Sequence, residues 1–149
     1  MKVLDMGAGA GYSTELVARD IGPTTMVYGQ NPPDNFECVR NAFATRAATP
    51  AMKNRAALVR PYDDPLPADV HGLDIITYLF FYHDTIYLNV DRTKMNRKLV
   101  AALKPGGVLV IADHSAQAGS DPSVGKTLHR IAGPRAGYSE PWLLWMVAA

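Results

Sequence analysis

Two short strings in this chain carry side chains suited to moving protons, His83-Asp84 and Asp113-His114. Imidazole titrates near neutral pH and an adjacent carboxylate can orient it, so either string could furnish a general base. A third stretch is suited to holding a ligand. Val3-Leu4-Asp5-Met6-Gly7-Ala8-Gly9-Ala10-Gly11-Tyr12 runs from apolar residues through an acid into glycines spaced two apart. Glycine lets the backbone take positive φ there and lets a ligand approach without meeting a Cβ. A helix opening just beyond would add unpaired N–H groups and the positive end of its dipole. Strand, glycine turn and helix together make a nucleotide-type pocket.

The elements that must position these residues can be read in order. Residues 2–6 form a short buried strand, and 13–21 a helix with Tyr12, Leu16 and Val17 on one face, stopped by Gly22-Pro23. Residues 26–30 are a second strand, ended by Asn31-Pro32-Pro33-Asp34. A helix over 35–48 places Phe36, Val39, Arg40 and Phe43 at helical spacing, and 55–59 is a third strand. The prolines and aspartates of 61–67 make a loop. Residues 73–80 are a buried fourth strand that delivers His83-Asp84. The helix over 89–103 turns Met95, Leu99, Ala102 and Leu103 inward, and Lys104-Pro105-Gly106-Gly107 stops it. The strand over 108–112 then delivers Asp113-His114. Beyond Ser115 the periodicity fades: 115–125 and 133–141 read as loop, Lys126 and His129 as surface residues, and 142–147 as a strand or an exposed apolar tail. In that last segment Trp142 and Trp145 would cover a core edge. Strands alternating with helices imply an α/β fold with a mainly parallel sheet, helices on both faces and right-handed crossovers. Ligands of such sheets sit beyond the C-terminal strand ends, where the glycine turn, Asn31, Asp63, His83 and Asp113 converge.

Bulk properties narrow the class. The chain has 149 residues, one domain's worth, with 48% apolar and 19% charged residues, as in an ordinary globular protein. A formal net charge of +1 gives no support to nucleic acid or an anionic membrane as partner. The single Cys38 forms no internal disulfide, and no apolar run reaches membrane-spanning length. A cytoplasmic location is expected, since the first apolar run is too short for a signal peptide.

Gly7 and Gly9 begin the dinucleotide fingerprint G-x-G-x-x-G, but its third glycine would fall at Tyr12, whereas the third here is Gly11. A P-loop lysine is also lacking. Residues 3–11 resemble instead the first motif of the class I S-adenosylmethionine-dependent methyltransferases. Leu73-Asp74-Ile75-Ile76 resembles the opening of that family's fourth strand. Leu103-Lys104-Pro105-Gly106-Gly107-Val108-Leu109-Val110-Ile111 resembles its helix end and fifth strand. The likeness covers roughly residues 2–115 and is greatest to bacterial methyltransferase-like proteins with Tyr-His-Asp-Thr after the fourth strand and Ala-Asp-His-Ser after the fifth. Those strings stand here as Tyr82-His83-Asp84-Thr85 and Ala112-Asp113-His114-Ser115.

The resemblance implies a Rossmann-like three-layer sandwich of about five strands in the order 3-2-1-4-5. It implies S-adenosylmethionine as cofactor, with Gly7, Gly9, Gly11 and Tyr12 against the methionine moiety and ribose. Asp5 would orient the turn or hold the cofactor's amino group. Asn31 stands where the family usually places a ribose-binding acid, and Asp63, less so Asp64, would take the adenine amino group. His83, Asp84 and His114 are the expected catalytic residues, acting on a small-molecule acceptor. No metal is expected, although Asp84 and Asp113 could alternatively hold a cation through oxygen ligands. Two departures stand out: almost nothing precedes the first strand, and residues 116–149 match no family pattern. They suggest a truncated or diverged member with a poorly covered sheet edge, open to homodimerisation. The alternatives are an inactive methyltransferase-like binding or scaffold module and, less favoured by the glycine spacing, a nicotinamide-dependent oxidoreductase.

Overall fold

A computed structural model describes residues 1–114, Ala116, Ser120, Asp121, Ser123 and Thr127, and the backbone of strand 142–148. The expectations for Lys126, His129, Gly133 to Tyr138 and the side chains of Trp142 and Trp145 lie outside the described residues.

The chain runs β1 (Lys2–Met6), α1 (Tyr12–Asp20), β2 (Met26–Asn31), α2 (Glu37–Ala47), a 3-10 turn (Pro50–Met52), β3 (Arg55–Val59), β4 (Leu73–Leu79), α3 (Asp84–Tyr87), α4 (Arg92–Ala102), β5 (Leu103–His114) and β6 (Trp142–Ala148). One sheet holds all six strands in the order β3-β2-β1-β4-β5-β6. The first five are parallel in the expected order 3-2-1-4-5, and β6 runs antiparallel along β5 from Val108↔Ala148 to His114↔Trp142. Segment 142–147 is therefore a strand rather than a tail, and β5 is an interior strand.

Side-chain alternation on the strands splits the core in two. Leu4, Ile76 and Leu109 lie in register across three strands, as do Met6, Tyr78 and Ile111. All six are buried in one cluster with Met95, Leu99 and Ala102, the face of α4 expected from its spacing. Asp91 caps that helix by accepting the Lys94 N–H at 2.9 Å. The alternate β1 residues point the other way, where Ala18 of α1, Val27 and Met52 form a smaller cluster.

Helix α1 departs from the expected apolar face. Tyr12 is 65% and Leu16 49% exposed, while Thr14, Glu15 and Ala18 are buried. The polar residues turn inward because each finds partners. Thr14 bonds Asp5, and Glu15 accepts from Arg19 (Nε, 2.9 Å) and Arg46. The two guanidiniums, Arg19 foremost, hold the Glu15 carboxyl below its ordinary range. Phe36, expected within the second helix at helical spacing with Phe43, lies outside α2 and is 78% exposed, whereas Phe43 is buried. The Lys104–Gly107 stretch does end α4, and it already belongs to β5, with a register shift between Leu73 and Ile75.

Candidate functional site

The glycine turn leaves β1 with Gly7 (φ 63°), Gly9 (φ 55°) and Gly11 (φ 82°) all in the left-handed region, which explains the residue type at each. Two carboxamides at the end of β2 hold it. Gly7 N–H donates to Gln30 Oε1 at 3.1 Å and Ala8 N–H to Gln30 O at 2.9 Å. Gly9 N–H donates to Asn31 Oδ1 at 2.9 Å, and Asn31 Nδ2 donates back to Gly9 O at 3.0 Å. Gln30 is itself anchored by donating to Arg60 O at 2.6 Å. In the sequence Gln30 is simply the last residue of the second strand; the pair of carboxamides it forms with Asn31 is the signal that could have found it.

Asp5 lies under the turn, 1% exposed. Its Oδ2 accepts the hydroxyls of Ser13 and Thr14, both at 2.6 Å, and its Oδ1 that of Thr77 at 2.9 Å. Burial raises its carboxyl above the ordinary value of 3.8, and the three hydroxyls pull it partly back. Of its two expected roles, the geometry matches orientation of the turn: Asp5 ties β1 and β4 to the first turn of α1.

An open cavity of about 1000 Å³ lies over the turn at the C-terminal ends of the strands. Gly7, Gly9, Asn31, Asp63, Phe81 and Asp84 are among the residues lining it, so much of the expected site is brought together. Its wall is largely aromatic and aliphatic, and the charged residues on it are acids, with no Lys or Arg among the described lining residues. A Cβ on Gly9 would meet only Gly7 O, at 3.9 Å, so the turn leaves open space there. Gly11 and Tyr12 are placed otherwise. A Cβ on Gly11 would lie 2.8 Å from Phe43 Cδ2, so this glycine makes room for α2 rather than for a ligand. Tyr12 is exposed outside the cavity wall, with the Arg46 guanidinium 5.6 Å from its ring centroid. Of the adjacent acids, Asp63 lines the cavity and accepts from Lys94 Nζ at 2.8 Å, while Asp64 is held by Arg60 and Lys98. Those cations keep the Asp64 carboxyl below its ordinary range, Lys98 foremost.

His83, Asp84, Asp113 and His114 meet where β4 and β5 end. Asp113 is fully buried, and its Oδ1 lies 2.5 Å from His83 Nδ1 and accepts the His114 N–H at 2.8 Å. Its Oδ2 accepts the His83 N–H at 2.7 Å. The opposite ring nitrogen, His83 Nε2, faces Asp84 Oδ1 at 3.3 Å, and Asp84 is on the cavity wall. The His114 ring stands edge-on to His83 with centroids 5.5 Å apart and packs by Phe80 at 5.9 Å. Phe80 has φ 56°, a strained value for a bulky side chain at the end of β4. Asp113, engaged with His83 and His114, does not converge with Asp84 in a cation cage: among the described residues no three His, Cys, Asp or Glu side chains do so. Tyr62, which sequence reading passed over, stacks obliquely on Phe81 at 5.2 Å in the cavity wall. Burial, then the charges of Asp34 and Asp84, push its hydroxyl well above the usual range.

No family model matches the chain, and no curated protein sequence matches it. Solved structures do. A SAM-dependent methyltransferase from Aquifex aeolicus superposes with TM-score 0.64 at 24% identity, over 82% of this chain and 61% of its own. The arsenic(III) S-adenosylmethionine methyltransferase CrArsM from Chlamydomonas reinhardtii gives 0.64 at 20%, over 83% and 42%. The plantazolicin methyltransferase BamL, in complex with a triazolic desmethylPZN analogue and SAH, gives 0.59 at 15%, over 76% and 38%. The chain thus spans less than two thirds of each of these structures. Its fold is that of the class I S-adenosylmethionine-dependent methyltransferases.

Proposed function

We propose that this domain binds S-adenosylmethionine in the cavity over the glycine turn and transfers its methyl group to a small-molecule acceptor. The observation that carries the reading is the convergence of Gly7, Gly9 and Asp63 on one cavity at the strand ends of this fold. Gly9, with open space where a side chain would stand, lets the methionine end of the cofactor lie against the turn. A Cβ on Gly7 would instead meet the Phe81 ring of the cavity wall at 3.0 Å. Asp63 would accept the adenine amino group. When bound, the cofactor supplies an electrophilic methyl on a sulfonium, and transfer is then mostly a matter of alignment.

The chain's own chemistry is the handling of the acceptor's proton. Asp84 is the cavity-lining carboxylate next to His83, whose Nε2 stands 3.3 Å from it. Asp113, bonded to His83 Nδ1, sets the orientation of that ring. Asp84 and His83 would take the proton as the acceptor is methylated, with His114 packed against the His83 ring. A wall of apolar and acidic residues favours a small uncharged or cationic acceptor over a polyanion such as nucleic acid. No described helix is long and apolar enough to cross a membrane.

Isothermal titration with S-adenosylmethionine and S-adenosylhomocysteine tests the cofactor. Binding of neither at roughly millimolar concentration, a limit weaker than most functional affinities, would sink the proposal. Release of S-adenosylhomocysteine on incubation with a metabolite extract separates a working enzyme from a binding module.

A further inference from the structure

Asn31 closes β2 on the cavity wall at 9% exposure. Its Oδ1 accepts two hydrogen bonds, from Gly9 N–H at 2.9 Å and from Asn35 Nδ2 at 3.1 Å. An amide oxygen has two lone pairs, so that acceptor is full. Its Nδ2 spends one N–H on Gly9 O at 3.0 Å. One N–H and no acceptor are left for a ligand. Gly9 is meanwhile gripped through both its backbone groups by one side chain, at a φ of 55°.

We propose that Asn31 is a positioning residue, a latch that sets the glycine turn in its left-handed geometry before any ligand arrives. This rests on the cofactor reading above and changes the part Asn31 plays in it, from acceptor of sugar hydroxyls to holder of the turn. The amide is required by the arrangement. An ionised carboxylate could accept from Gly9 N–H but would set a negative oxygen against Gly9 O. A protonated carboxyl has one donor and spare acceptor capacity, and so restores both bonds.

The test is Asn31→Asp in the full chain at two pH values, one above and one below the midpoint at which NMR shows the introduced carboxyl to titrate. Two quantities are read against wild type at each pH: the Kd for S-adenosylhomocysteine by calorimetry, and the exchange rate of the Gly9 amide by NMR on the unliganded protein. A latch raises Kd about tenfold or more at the higher pH, the cost of one buried bond lost. The gap narrows in acid, and Gly9 exchange is faster at the higher pH and recovers in the same way. A variant that binds as tightly as wild type or tighter at the higher pH overturns the latch, because an acceptor of hydroxyls prefers the ionised acid. A loss that does not narrow in acid overturns it as well. The exchange measurement needs no cofactor: if wild type binds neither cofactor form, the proposed function fails while Gly9 protection still decides the latch. Should Asn31→Asp not fold, Asn31→Ala replaces it, with faster Gly9 exchange than wild type at both pH values expected and unchanged exchange overturning the proposal.

Discussion

His83 and Asp113 are bonded twice: side chain to side chain at 2.5 Å and through the His83 backbone N–H at 2.7 Å. The carboxylate therefore fixes both the ring and the chain segment that carries it, at the junction of two adjacent parallel strands.

Asp113→Asn replaces one accepting oxygen with a donor that faces an N–H group. A loss of roughly 1–3 kcal/mol in stability is expected, measured by denaturant unfolding. His83→Ala leaves the cavity wall and the glycine turn in place. It should lower the methyl-transfer rate about 100-fold, the lower range of a positioned base, while the Kd for S-adenosylhomocysteine stays within about threefold of wild type.

Two alanine substitutions in the glycine turn should separate stability from binding. At Gly11 a Cβ would sit 2.8 Å from the Phe43 ring at φ 82°, and strain plus overlap should cost roughly 2–4 kcal/mol in unfolding experiments. At Gly9 the nearest contact is 3.9 Å away, so only the conformational cost of roughly 1–2 kcal/mol applies. Calorimetry should find Gly9→Ala the more damaging of the two to cofactor affinity among protein that remains folded.

Asp63 and Asp64 are neighbours with opposite expected behaviour. Asp63 is on the cavity wall and Asp64 is held by Arg60 and Lys98. Asp63→Ala should weaken S-adenosylhomocysteine binding about tenfold, the value of one charge-assisted hydrogen bond. Asp64→Ala should leave that Kd unchanged and move stability by no more than about 1 kcal/mol, as for an exposed pair.

The buried Asp5 predicts a pH dependence of known sign. Its pKa is raised in the folded protein above 3.8, so the folded chain takes up this proton more readily than the unfolded one. Its contribution is fully present below the unfolded value and is lost as pH rises through the folded one. The stability of wild type relative to Asp5→Asn should therefore increase as pH is lowered through the raised pKa and level off below about 3.8. Paired denaturant curves across that window would show it.

The strands and the placing of the turn were legible because each rests on local pattern: apolar runs bounded by glycine, and a helix whose Met95 and Leu99 keep strict spacing. The strand order followed from the family resemblance of residues 3–11 and 103–111. What escaped was decided by partners distant in sequence. Tyr12 and Leu16 look like an inward face of α1, but the face that turns in is the one whose Thr14 and Glu15 find Asp5, 9 residues back, and Arg46, 31 residues on. Gly11 reads as a ligand-contacting glycine by its place in the string, and only the packing of Phe43 against it reveals another reason. The pairing of β6 depends on β5, across a stretch with no periodicity to announce it.

The Phe43 ring also fills the space where Gly29 would carry a Cβ, whose nearest contact would be Phe43 Cζ at 2.9 Å. One phenyl thus occupies two notches, one at the N-terminus of α1 and one on β2, cut by glycines 18 residues apart in sequence. A change at any one of the three disturbs its packing with the others. A lineage that acquired a side chain at Gly11 or Gly29 would first have to trade Phe43 for something smaller, and trading Phe43 first would leave a hole between α2 and the turn. Variation at these three positions is therefore expected to travel together, as a single inherited unit, even where the surrounding helix faces drift freely.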